Sequence, residues 1–78
     1  EDPREMLEMD HKVQFNDINA IRDAVKVCES HQDYVSRDAL NKILDKQEEH
    51  LDWLETQIDL MSRLGTEVYL QSMLKEED

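Results

Sequence analysis

Three polar side chains stand where the spacing of this 78-residue chain asks for apolar ones: Gln14, Gln47 and His50, with His11 a fourth candidate. Imidazole is a good ligand for transition metals, whereas a neutral, weakly donating carboxamide is a poor one for iron or zinc. Buried without partners, such groups cost roughly 1–3 kcal/mol each. A cluster of them at one level implies mutual hydrogen bonding, a ligand or a metal. The competing reading is a buried polar layer that fixes helix register, as a core Asn does in coiled coils. Spacing alone leaves both open.

The cluster exists only if particular elements carry it. Asp2-Pro3-Arg4-Glu5 reads as a helix start, with Asp2 the cap, Pro3 at the first helical position and Glu5 placed for a capping box. A three-four spacing follows through Leu7, His11, Gln14, Ile18, Ile21, Val25 and Cys28, and predicts a helix over about 3–31. Ser30-His31-Gln32-Asp33 can end that helix and cap the next. A second stripe, Leu40, Ile43, Gln47, His50, Leu54, Ile58, Met61 and Leu64, predicts a helix over about 34–64, widened by Ala39, Leu44 and Leu51. Gly65 suits a helix C-terminus, and Thr66 can cap a short third helix over about 67–76 holding Val68, Tyr69, Leu70, Met73 and Leu74. The acidic end Glu76-Glu77-Asp78 is expected to fray.

The expected fold is all-α: an antiparallel αα-hairpin plus a short C-terminal helix. With the hairpin pivoting at residues 31 and 32, Gln14 and His50 both lie about 18 residues from the turn, roughly 27 Å at ~1.5 Å per residue. Gln47 is one turn from His50 on the same face. All three therefore fall in one layer. An isolated hairpin leaves one side of each stripe in water, so a four-helix bundle completed by a second chain or a second copy is the economical solution.

Composition agrees. Apolar residues make up 38% and charged residues 37%, with one Gly and one Pro, which suits long exposed helices and argues against a sheet. The regular apolar spacing argues against disorder, despite the charge density. A net charge of −11 excludes nucleic acid and anionic lipid as partners and attracts cations. It reads either as a solvated acidic helix surface or, given a site, as cation handling. Cys28 is the single cysteine, which rules out an internal disulfide and fits a reducing compartment. With no apolar run of membrane-spanning length and no visible signal peptide, the chain reads as cytoplasmic.

Asp33-Tyr34-Val35-Ser36-Arg37-Asp38 resembles the turn between the third and fourth helices of bacterioferritins. His50-Leu51-Asp52-Trp53-Leu54-Glu55-Thr56 resembles the stretch around that family's last iron ligand. Gly65 followed by Tyr69-Leu70-Gln71 resembles its short fifth helix. The similarity runs over essentially the whole chain and covers about half of a family subunit, its third, fourth and fifth helices. It implies half of a ferritin-like four-helix bundle. The partners implied are other bacterioferritin-like subunits or the N-terminal half of a subunit, in a cage of up to twenty-four that oxidises Fe(II) and stores a ferric mineral.

The resemblance also assigns the polar residues. The family's di-iron site uses four carboxylates and two histidines, with one Glu-x-x-His pair on the fourth helix. His50 falls on that histidine, and Gln47 falls on its bridging Glu. Gln14 falls on the third-helix Glu. Glu48 and Glu49 point roughly one and two hundred degrees away and cannot substitute. Iron is the implied cofactor, at a degraded site. Haem b would enter only through another segment, because Met6, Met9, Met61 and Met73 do not match the haem methionine. Gln71 matches a residue lining the family's four-fold channel, although Val68 stands where a polar residue is common.

Three functions follow from this: a storage-shell component with an inactive site, an altered iron oxidase completed by a partner segment, or a non-metal helical interaction module. Other positions have plainer readings. His31 is a helix-end residue, Cys28 a small buried hydrophobe, and Trp53 and Tyr34 packing residues around the bundle. His11 lies one turn from Gln14 and could join a metal site.

Overall fold

The computed structural model describes residues 2–77, with side chains over 2–74. Its elements are α1 (Pro3–Ser30), α2 (Tyr34–Leu64) and α3 (Thr66–Glu77), and no strand occurs among the described residues. The Asp2 carboxylate accepts from the Arg4 N–H at 2.9 Å and Pro3 follows at the first helical position, so α1 starts where its capping chemistry puts it.

The turn is built from backbone hydrogen bonds. His31 is the C-cap of α1, and its ring Nδ1 lies 3.0 Å from the Val27 carbonyl oxygen. Gln32 takes a left-handed φ of 57°, which lets its N–H reach the Glu29 carbonyl at 3.1 Å and the Asp33 N–H reach that of Cys28 at 2.8 Å. That pair of bonds is a Schellman ending, usually built on glycine. Asp33 then caps α2, accepting the Ser36 N–H at 3.1 Å. Hydrogen bonds from Ser36, its side chain first and its backbone second, hold the Asp33 carboxyl below its ordinary value of 3.8.

α1 and α2 pack antiparallel within a body of 50 × 24 × 19 Å. Three polar rungs set the register: Arg4 Nη2 donates to Ser62 Oγ at 2.7 Å, His11 Nε2 meets Glu55 Oε2 at 2.9 Å, and Arg22 Nη2 donates to Glu48 Oε2 at 2.6 Å. Between them runs the apolar seam, in which Ile18, Leu54 and Met61 are each only 1% exposed. Burying side chains of this size is worth about 1.5–3 kcal/mol each. Leu7, Ile21, Val25 and Cys28 of α1 and Leu40, Leu44, Leu51 and Ile58 of α2 flank the seam as half-buried residues.

Not every stripe residue enters this seam. Ile43, His50 and Leu64, expected on the buried face of α2, are exposed, because the seam of α2 is turned toward Leu44 and Leu51. Trp53 and Tyr34, expected as packing residues, are also exposed, and Tyr34 instead carries the Arg37 guanidinium 4.8 Å from its ring centre. Several of the exposed large side chains nevertheless form a pattern. Met6, Val13 and Val27 recur at multiples of seven, each one position before a seam residue of α1; on α2, Ile43, His50, Trp53 and Leu60 stand one position before Leu44, Leu51, Leu54 and Met61. In antiparallel helices, positions that precede the seam by one residue fall on the same side of the pair. The hairpin therefore carries an open face with several apolar residues beside its closed seam, interrupted on α1 by the exposed Asp10 and Asp17.

Gly65, with φ 84°, turns the chain into α3. Thr66 is the first helical residue rather than a cap. Tyr69 is buried and donates its hydroxyl to Gln57 Oε1 at 2.7 Å, and Gln57 is itself only 8% exposed. α3 thus closes over the end of the hairpin, beside a groove of about 320 Å³ whose lining includes Met6, Leu7, Trp53, Met61, Leu70 and Met73.

Candidate functional site

The rungs give the height of the polar layer. With His11 opposite Glu55, Gln14 lies opposite residue 52 or so, and Gln47 and His50 fall within about 8 Å of that level along the axis. Gln14 and Gln47 stand at the rim of the seam, half-buried, and His50 lies on the open face. The hairpin brings the three to one stretch of its surface, but no hydrogen bond joins any two of them among the described residues.

Each has a different local state. The Gln14 Nε2 atom is enclosed and has no acceptor. A buried amide donor in that condition costs about 1–3 kcal/mol, so the hairpin alone leaves this position unfinished. His50 stacks on Trp53 with ring centres 6.0 Å apart and planes 11° apart. Glu48 is held by Arg22, as its direction away from the layer requires.

His11 is turned to another use. Its Nε2 faces Glu55, and its ring stacks on Phe15 at 6.4 Å, so it braces α1 against α2 and does not join Gln14. With Glu8, Asp59 and Ser62 it lines a shallow acidic trough of about 520 Å³. Among the described residues, no three His, Cys, Asp or Glu side chains converge closely enough to hold a metal ion. The layer itself offers two amides and one imidazole. That donor set does not fit a pair of divalent cations, which need anionic oxygen ligands to balance their charge. Gln71, the channel candidate, is exposed on α3, as is Val68.

Sequence reasoning missed the Gln57–Tyr69 pair. Its signal was faint but present: Gln57 stands seven residues after His50, on the same side of α2. No helix of the described residues is long and apolar enough to cross a membrane.

Comparison with known proteins places this arrangement. The family model for the ferritin-like domain matches residues 1–64. The chain is 45% identical over 71 residues to the bacterial ferritin of Synechocystis sp., an alignment covering 90% of this chain and 46% of that protein. The bacterial ferritin of Pseudomonas aeruginosa gives 44% over 71 residues, with the same two coverages of 90% and 46%. The bacterioferritin of Mycobacterium bovis gives 39% over 66 residues, covering 85% of this chain and 42% of that protein. The chain spans about half the length of the curated relatives it matches.

Proposed function

Because the chain belongs to the ferritin-like family, with bacterioferritins among its relatives, we propose that it serves iron storage as the second half of a bacterioferritin-like four-helix bundle whose share of the di-iron site is disabled. The observation that carries this is the chemistry of the layer: amides at Gln14 and Gln47 beside His50, with the Gln14 Nε2 enclosed and unpaired. In this reading iron is the substrate and cargo of the assembly, other subunits or a complementary pair of helices complete the bundle, and the setting is cytoplasmic. Any haem is ligated from another segment.

Charge sets the expected activity. Two Fe(II) ions bring +4, which four carboxylates balance. Exchanging two carboxylates for amides leaves about +2 uncompensated in a low-dielectric core, a cost that survives even a large effective dielectric. The amides can instead hydrogen-bond across the bundle, giving a neutral polar layer that fixes helix register without metal.

The test is restoration. In the completed assembly, Gln14→Glu together with Gln47→Glu is expected to raise Fe(II)-dependent oxygen consumption at least ~10-fold, since each carboxylate restores a missing ligand charge. His50→Ala in the unaltered layer is expected to leave consumption unchanged. An unchanged rate in the double variant sinks the disabled-site reading. Loss of oxidation on His50→Ala favours an altered but working oxidase in its place.

A further inference from the structure

All four methionines of the chain gather at the end of the hairpin remote from its turn. Met6 of α1, Met61 of α2 and Met73 of α3 line one groove of about 320 Å³. Met9 lines a neighbouring groove of about 250 Å³, which Met6 borders as well. Methionine commonly fills gaps in a core, but here three of them, from three helices, border a gap that stays open. What each adds to a leucine of similar volume is its sulfur. The remaining neighbours decide what those sulfurs can bind. Asp10 lines the larger groove and Asp2 and Glu5 the smaller, and among the described residues no Lys, Arg, His or Cys lines either. The local charge therefore favours a cation.

We propose that the larger groove binds a soft monovalent cation, Cu(I) or its analogue Ag(I), through the thioether sulfurs of Met6, Met61 and Met73. This goes beyond the storage reading and does not rest on it, because none of the three belongs to the polar layer. Thioethers select soft ions such as Cu(I), whereas hard and borderline ions such as Fe(II) prefer the oxygen and nitrogen donors that are scarce here. Size agrees. A sphere of the groove's 320 Å³ has a radius of about 4 Å, a gap that methionine's three rotatable bonds let its sulfur cross. The three sit at different depths: Met61 is buried, Met73 half-buried and Met6 exposed, so an ion has both a floor and an entrance. Met73 stands one turn after Tyr69 on the same side of α3, and the Tyr69–Gln57 hydrogen bond ties that side of α3 to α2. Trp53 lines the groove as well, and an indole face attracts a cation electrostatically.

The experiment titrates the full chain with Ag(I), a redox-inert probe, in chloride-free buffer and follows the emission of Trp53, the single tryptophan. A Cys28→Ser background removes the thiol, which would otherwise compete as a soft ligand. One Ag(I) per chain is expected to bind and to change the emission, with Zn(II) binding at least ~10-fold more weakly. Met6→Leu, Met61→Leu and Met73→Leu nearly conserve volume, so helicity should persist. Each is expected to weaken Ag(I) binding at least ~10-fold, no less than the loss of an outer-shell group at a metal site. Met9→Leu, in the neighbouring groove, should leave the affinity unchanged. X-ray absorption of the Cys28→Ser chain loaded with Cu(I) under ascorbate should show sulfur scatterers, a readout that needs no methionine variant to fold. The site is overturned by absence of binding, by Zn(II) binding as tightly as Ag(I), or by nitrogen and oxygen scatterers alone. Ag(I) affinity that survives all three leucines together, or that falls as far in Met9→Leu as in Met6→Leu, overturns it too.

Discussion

Gln57 and Gln14 are both glutamines on the inner side of a long helix, and the chain treats them in opposite ways. Gln57 is covered by α3, and its oxygen accepts the Tyr69 hydroxyl at 2.7 Å. Gln14 has its amide nitrogen enclosed with no acceptor at all. The difference is one of reach. α3 reaches Gln57 and completes its polar pairing, whereas nothing within reach of Gln14, at the rim of the seam, gives its amide an acceptor. A buried donor without an acceptor is what a partner surface supplies or an alternative packing removes. The hairpin is therefore closed in two places, the seam and the end covered by α3, and open in one.

The largest expected effect separates seam from face. Leu54→Ala, in the seam, should lower hairpin stability by about 2–5 kcal/mol, because it opens a cavity among side chains with no room to relax. Ile43→Ala, on the open face and 48% exposed, should change it by no more than about 0.5 kcal/mol. Urea unfolding at low protein concentration measures both. Similar losses at the two positions would mean that the face is already covered in solution, and a concentration-dependent midpoint would identify the cover as another chain.

A smaller effect has opposite signs at the two glutamines. Gln57→Leu removes the acceptor of the Tyr69 hydroxyl and should cost about 1 kcal/mol. Gln14→Leu removes an unpaired buried donor at nearly constant volume and should raise stability by about 1 kcal/mol. In the completed bundle the second sign should reverse, because the amide then has a partner to lose. Thermal melts of the free chain and of the complex decide the matter. A Gln14→Leu that destabilises both would show that the amide is already satisfied in the free chain.

The same division explains what could be read in the sequence. Asp2-Pro3 and Asp33 state their roles locally, since a cap needs only its own next few residues, and so the helix starts were legible. The seam through Ile18, Leu54 and Met61 was legible from the three-four spacing. Spacing could not say which of two adjacent stripes of α2 faces α1. Ile43 and Leu44 are both apolar, and rotating the helix by about 100° exchanges them. The choice is made across the hairpin, by rungs such as His11–Glu55 and Arg22–Glu48 that lie far apart in sequence. Gln14, Gln47 and His50 were singled out because they interrupt an apolar pattern. The Gln57–Tyr69 pair was not, because a tyrosine breaks no pattern and its partner stands twelve residues away across the Gly65 turn. Gln32 could not have been read as the left-handed residue of the turn either, because glycine or asparagine usually fills that place.

The smallest effect sharpens the contrast by titration. At the turn the chain satisfies its polar groups with a carboxylate, whereas the layer relies on amides that carry no titratable proton. Ser36 holds the Asp33 carboxyl below 3.8 in the folded chain. A carboxyl whose value is depressed by folding contributes stability that is fully present above its ordinary value and is lost as pH falls through the folded one. The advantage of wild type over Asp33→Asn should therefore hold at neutral pH and shrink once pH drops below 3.8. The advantage of Gln14 over Gln14→Leu in the complex should show no such window, since neither side chain changes charge. Parallel melts at several pH values measure both differences. An Asp33→Asn difference constant with pH would mean that the cap acts through shape alone. A pH-dependent Gln14 difference would place an ionisable group of the partner against the amide.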